Sequence, residues 1–153
     1  MKKIIQITSE NMEEELSSIT SFYNLNFPKA QHRKIFKRHI YSKDCYKALI
    51  FIIKSESHVI GLLESWIPEK RPDVRLFATL LVDEEFRNES LAKQMIERLS
   101  SEIKSIDEKL PMVVTFREYN KDTHVSFYKK FGFKKLILNG KYRNGDPMWE
   151  MRI

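Results

Sequence analysis

Residues 82–92 read Val82-Asp83-Glu84-Glu85-Phe86-Arg87-Asn88-Glu89-Ser90-Leu91-Ala92. This stretch closes a long apolar run, Val74 to Val82, and opens a periodic one. From Ser90 to Ile106 apolar residues recur at 91, 92, 95, 96, 99, 103 and 106. A run with almost no polar alternation predicts a strand buried on both faces. The recurrence every three to four residues predicts a strong helix. Between them lie an acidic turn and Arg87. A helix start presents unpaired backbone N–H groups and the positive end of the helix dipole, so it can hold a pyrophosphate without side-chain charge. Arg87 can add a bidentate contact to phosphate. Taken alone, the same strand–turn–helix also fits a plain connecting turn.

Upstream, Ile4 to Ile7 read as a short opening strand, and Asn11 with Glu14 as an N-cap and its capping-box partner. Met12, Leu16, Ile19, Phe22 and Tyr23 then recur at helical spacing, and Pro28 ends the segment. A second helix is expected over Gln31 to Tyr41, with a basic outer face. Tyr46 to Ile53 and Val59 to Ile67 are β-rich apolar runs around the turn Lys54-Ser55-Glu56-Ser57, which is a hairpin pattern. Downstream, Met112 to Phe116 reads as a short buried strand, Lys121 to Phe131 as a helix stopped by Gly132, and Lys134 to Leu138 and Met148 to Ile153 as closing strands. The loop between the last two carries Asn139-Gly140 and Asn144-Gly145 turn signals. The order β-α-α-β-β-β-α-β-α-β-β predicts an α/β (α+β) fold, with a central mixed sheet of about seven strands flanked by about four helices. A strand–helix–strand unit in the second half implies one parallel crossover.

The chain has 153 residues, 42% apolar and 31% charged, so residues 1–153 are read as a single domain. That balance excludes a disordered chain, and no apolar run approaches the ~20 residues that span a bilayer. Met1-Lys2-Lys3 leads into an apolar run that Thr8, Ser9 and Glu10 end too soon for a signal peptide, so a cytoplasmic location is expected. One cysteine, Cys45, excludes an internal disulfide framework and a cysteine-based zinc site. The excess of 27 Lys and Arg over 21 Asp and Glu favours anionic partners. Nucleic acid is a poor candidate among them, because no zinc spacing or Gly-rich RNA motif accompanies the charge.

Here the sequence resembles the GNAT family, the acyl-CoA-dependent N-acetyltransferases. Their central motif is a strand ending near Val-Asp, then Arg or Gln, two residues, Gly, one residue, and Gly or Ala opening a long helix. Val82-Asp83, Arg87 and Ala92 match it, with Ser90 at the family's Gly and Asn88 where Gly is frequent. About forty residues on, Phe127-Tyr128-Lys129-Lys130-Phe131-Gly132-Phe133 fits the family's second motif. The two motifs in this order of elements make the resemblance strong over nearly the whole chain.

The resemblance implies an acetyl-CoA-dependent acyltransferase, moving an acetyl group to a primary amine of a small molecule or protein by direct attack on the thioester. It needs no metal. The alternative is a non-catalytic member that binds coenzyme A or a partner. Tyr128 would protonate the leaving thiolate. Leu81 or Val82 would offer a backbone N–H to the carbonyl oxygen. Residues 87 to 92 (Arg87, Asn88, Glu89, Ser90, Leu91 and Ala92) would cradle the pyrophosphate, with Asn120 and Lys130 as further cofactor contacts. Gly permits the close approach and positive φ of such a loop; at Ser90 the hydroxyl is expected to cap the helix instead. The base that takes the amine proton is expected at Glu64, in an otherwise apolar strand, or at Glu118, after the short strand. His124 and His32 read as surface or packing residues. Trp66 to Arg71 and Lys141 to Trp149 are expected to border the acceptor cleft, and closing strands of this kind can pair in a homodimer.

Overall fold

The apolar runs of the chain become the strands of one sheet. The computed structural model describes residues 1–26, 45–87 and 90–153. Seven strands are present: β1 (Lys2–Ile7), β2 (Cys45–Ser55), β3 (His58–Pro68), β4 (Arg75–Val82), β5 (Met112–Arg117), β6 (Lys134–Lys141) and β7 (Pro147–Arg152). They lie in the order β1-β2-β3-β4-β5-β7-β6. β4 and β5 are parallel, and all other neighbours are antiparallel. The described α-helices are α1 (Met12–Asn26), α2 (Leu91–Ser105) and α3 (Lys121–Lys129). The expected α/β class, seven strands and parallel crossover, here β4–α2–β5, are all present. The helix expected over 31–41 lies outside the described residues.

Strand alternation sends successive side chains to opposite faces, and each face has its own core. Met12, Leu16, Ile19, Phe22 and Tyr23 of α1 pack with Ile50, Ile52 and Leu62. Leu91, Met95, Ile96 and Leu99 of α2 and Tyr128 of α3 pack with Phe51, Leu63, Phe77, Val114, Phe116 and Met151. The sheet is thus the middle of three layers.

β4 departs from expectation. Only Arg75 and Phe77 of it are buried; the strand is half-exposed from Ala78 to Val82. Its pairing with β5 covers Arg75, Leu76 and Phe77 against Met112, Val113 and Val114, and stops there. The strand is covered on both faces only where it has both neighbours. The start of β4 is pinned by Arg75, which is fully buried and donates to both carboxylate oxygens of Glu108 at 2.6 and 2.8 Å and to Ser65 Oγ at 3.3 Å.

Two smaller expectations also change. Asn11 spends its side chain on the backbone N–H of Thr8 and the carbonyl of Gln6 rather than on the first turn of α1. Asn139-Gly140 is not a turn: β6 runs on to Lys141 through an irregular register, and the chain reverses around Asn144-Gly145. Gly132 stops the α3 region as expected. Its φ of +92° is open to glycine, and an added Cβ would meet Ile153 Cδ1 at 3.1 Å.

Candidate active site

The site begins where β4 and β5 part. Beyond Phe77 and Val114 the two parallel strands run without mutual pairing, which leaves backbone groups of residues 78–82 on that edge for another partner. A bulge falls at the same point: Glu64 pairs with Thr79, but Ser65 pairs with Phe77, so Ala78 is the extra residue. Without the bulge, residues 77 and 79 would share a face. With it, Phe77 joins the α2–α3 core, while Thr79 lies opposite Glu64 on the α1 face.

Glu64 pairs with Ile50, a member of the α1 core, which fixes its side. The sheet covers it completely, at 0% exposure. Burial pushes its carboxyl up to about 8, against a smaller opposing effect of the hydrogen bond from Thr79. It is therefore a buried face residue and not a solvent-facing edge residue.

Tyr128 approaches from the opposite face. Its ring meets Phe77 edge-on at 5.9 Å, stacks on Phe116 at 6.4 Å, and touches His124, Phe127 and Phe133. Desolvation in this cage pushes its phenol up to about 12, so it is a neutral donor at any working pH. Tyr128 is anchored as core and also stands beside the last paired residue of β4.

At the far end of β4, a 3₁₀ turn at Glu84–Phe86 leads toward α2. Ser90 has φ 60° and ψ 20°, the left-handed conformation that glycine adopts freely. Its carbonyl accepts from Gln94 N–H at 3.1 Å. The expected hydroxyl cap is absent: Ser90 makes no side-chain cap bond. A capping side chain needs an extended backbone at that position, which Ser90 lacks. Arg87 is exposed, and its Nε donates to Val82 O at 3.1 Å. Leu91 is buried and Ala92 is half-buried. Asn88 and Glu89 lie outside the described residues. Lys130 is exposed and, with Lys93, Lys104, Ser100 and Ser101, lines a groove of about 480 Å³ between α2 and the end of α3.

Glu118 directly follows β5. It is exposed, accepts a hydrogen bond from Trp149 Nε1 and pairs with Lys121 at 3.4 Å. Lys121 in turn lies over the Trp149 ring at 4.4 Å, and Arg117 over the Tyr142 ring at 4.2 Å while pairing with Asp146. Two of the aromatics expected at the cleft border, Tyr142 and Trp149, are thus each packed against a cation. Arg71, from the loop after β3, reaches the buried Glu150 at 2.6 Å; the hydrogen bonds of Arg71, Asn139 and Arg152 hold that carboxylate below its ordinary range despite its burial.

The sequence reading missed Phe77 and Ala78. Neither gave a signal, since a bulge leaves none in an apolar run. Asn120, His124 and Tyr128 recur every four residues along one helical face, a legible spacing. Asn120 Oδ1 and His124 Nδ1 are both buried without a hydrogen-bond partner among the described residues.

The acetyltransferase (GNAT) domain family matches residues 47–135. Comparison of the sequence with curated proteins gives no significant match. Solved structures match at full length. An acyl-CoA N-acyltransferase from Pseudomonas aeruginosa shares 12% identity at a TM-score of 0.73, covering 99% of each chain. The PaiA N-acetyltransferase of Thermoplasma acidophilum, solved with coenzyme A, shares 16% at 0.59, covering 100% of this chain and 99% of its own. The ribosomal-protein-S18-alanine N-acetyltransferase of Escherichia coli shares 15% at 0.68, covering 100% and 93%. At these identities the likeness is one of fold.

Proposed function

The chain belongs to the GNAT acetyltransferase family, and from that premise we propose that residues 1–153 form one N-acetyltransferase domain that moves an acetyl group from acetyl-CoA to a primary amine within a ternary complex. The observation that carries this reading is the parting of β4 from β5 at Phe77, with Glu64 on one face of the sheet and Tyr128 on the other. Solved relatives of the fold that hold coenzyme A support it.

The residues present fit such a co-substrate. The unpaired edge of residues 78–82 can pair with the amide-bearing arm of coenzyme A as it would with an added strand. Ser90 already holds the conformation that exposes the first N–H groups of α2, and Arg87 and Lys130 supply positive charge for phosphates. Leu81 and Val82 lie four and five residues beyond Phe77, ~13–16 Å along a strand. If Tyr128 serves the sulfur, the N–H that meets the acyl oxygen belongs nearer the bulge at Ala78 and Thr79, and Leu81 and Val82 flank the arm.

In this reading Glu64 takes the amine proton on the α1 face, and Tyr128 gives one to the sulfur on the α2–α3 face. A carboxylate of pKa about 8 matches an ammonium better than an ordinary one does. A cavity of about 730 Å³ between α1 and the β2–β3 turn presents Glu56, Asp83 and Glu85, toward the far end of β4 from the Glu64–Thr79 pair. Glu118 acts in positioning Trp149 rather than as the base. The edge strand β6 exposes Leu136, Ile137 and Leu138, a surface that a second copy can cover. No helix among the described residues is long and apolar enough to cross a membrane.

The test is release of free coenzyme A from acetyl-CoA with a panel of small amines and peptide N-termini, beside calorimetric binding of coenzyme A. Transfer to any amine supports the reading. Binding without transfer to any of them favours the non-catalytic alternative, and no binding overturns both.

A further inference from the structure

α3 packs against β5, β7 and the turn Glu118–Asn120, and one of its faces carries His124 and Tyr128 at successive turns, in line with Asn120 of that turn. His124 is half-buried and wedged between two rings: it meets Phe116 edge-on at 5.6 Å and Tyr128 edge-on at 6.0 Å. A residue that only packs has no use for a polar edge in this place, yet Nδ1 lies inside without a partner among the described residues. Leaving such a nitrogen buried and unsatisfied is destabilising. We propose that His124 is a positioning residue that re-protonates Tyr128, passing a proton from solvent to the phenol as the phenol gives its own to the leaving sulfur. This rests on the acetyl-transfer reading above.

The need arises from the cage. Tyr128 is surrounded by Phe77, Phe116, Phe127 and Phe133, so a tyrosinate left after proton donation would sit in apolar surroundings. Replacing the proton as it leaves avoids that state. The balance closes on one proton. The Tyr128 O–H bond breaks as S–H forms. A water bridging the two then passes the His124 Nδ1 proton to the Tyr128 oxygen while Nε2 takes one from solvent, and loss of the Nε2 proton to solvent with return of one to Nδ1 by the same water restores the first tautomer. The imidazole begins and ends neutral, consistent with burial lowering its pKa.

The charged groups on the elements around His124 are engaged elsewhere. Glu118 is held by Lys121 and Trp149, Arg117 by Asp146, and Glu150 by Arg71, Asn139 and Arg152. Asp122 and Lys129 on α3 itself are exposed.

Two measurements decide it. The first needs no activity: the His124 imidazole is titrated by NMR in the wild type and in Tyr128→Phe, which keeps the ring and removes the hydroxyl. Coupling through the hydroxyl moves the His124 midpoint by about half a pH unit; pure packing leaves it unmoved and overturns the proposal, whatever the enzyme does. The second is a double-mutant cycle in kcat with the best acceptor. His124→Phe, with His124→Gln as a second variant should the first not fold, is expected to lower kcat roughly tenfold in the wild type and to have no further effect in Tyr128→Phe. Equal losses in both backgrounds overturn the relay. A shifted midpoint in a protein that transfers acetyl to no amine overturns the acetyl-transfer reading and leaves the His124–Tyr128 coupling standing.

Discussion

The Tyr128 ring meets the Phe77 ring edge-on, centroids 5.9 Å apart and planes at 79°, at the last residue of β4 that pairs with β5. One residue further on, the bulge at Ala78 turns the strand so that Thr79 faces Glu64 on the other side of the sheet. A donor and a base candidate are therefore held at one level by strand register, on opposite faces of a gap in the sheet.

Tyr128→Phe keeps every ring contact, so coenzyme A affinity and the thermal midpoint should hold. Removing the proton donor should lower kcat roughly tenfold to a hundredfold. The loss should shrink at high pH, where the thiolate leaves unaided. A pH–rate profile of both forms checks this, and equal kcat throughout would reduce Tyr128 to packing.

Glu64 links activity to stability. Its carboxyl is raised from 4.5 to about 8 by burial, so between those values the native state binds the extra proton. Stability from this group is fully present below about pH 4.5, falls as pH rises, and is gone above about pH 8. Glu64→Gln should remove that decline in urea unfolding run across the range. As a base, Glu64 should make the rate climb through pH 8, and Glu64→Gln should lose roughly tenfold to a hundredfold there. A variant with wild-type rates would assign the proton to water.

Ser90 holds a left-handed conformation without a compensating side-chain cap. Ser90→Gly should remove ~1 kcal/mol of backbone strain, about 2–4 °C in thermal midpoint, while keeping or improving coenzyme A affinity. A large loss of affinity would make the hydroxyl itself a ligand.

Arg87 stands in the connection from β4 to α2 with its Nε on the Val82 carbonyl. Arg87→Glu should weaken coenzyme A at least tenfold in calorimetry, since a charge-assisted contact becomes a repulsion. Unchanged affinity would place the pyrophosphate elsewhere.

Arg75 and Glu108 form a buried pair that fixes where β4 starts. Glu108→Ala leaves the guanidinium uncompensated and should cost about 3–5 kcal/mol in denaturant unfolding. A cost below ~1 kcal/mol would mean that water or Ser65 satisfies Arg75.

The sequence by itself determined the strands and helices among the described residues and which side of α1 and α2 is buried. Met12, Leu16, Ile19, Phe22 and Tyr23 all reach the core as their spacing requires, and Gly132 ends α3's segment at positive φ. It also located Tyr128 and the turn before α2, because a short motif is local and its spacing survives in the chain. It misread β4 as doubly buried and Ser90 as a side-chain cap. Those depend on contacts between distant residues: where β4 loses β5, how Ala78 shifts the register against β3, and which rings close around α3. Periodicity reports the faces of one element taken alone. Which neighbour an edge has, and where it stops having one, is set by the pairing of segments some forty residues apart. The nearer pairings of β3 with β2 and β4 decided that Glu64 is buried, and the β4–β5 pairing decided where Tyr128 meets the sheet on the opposite face.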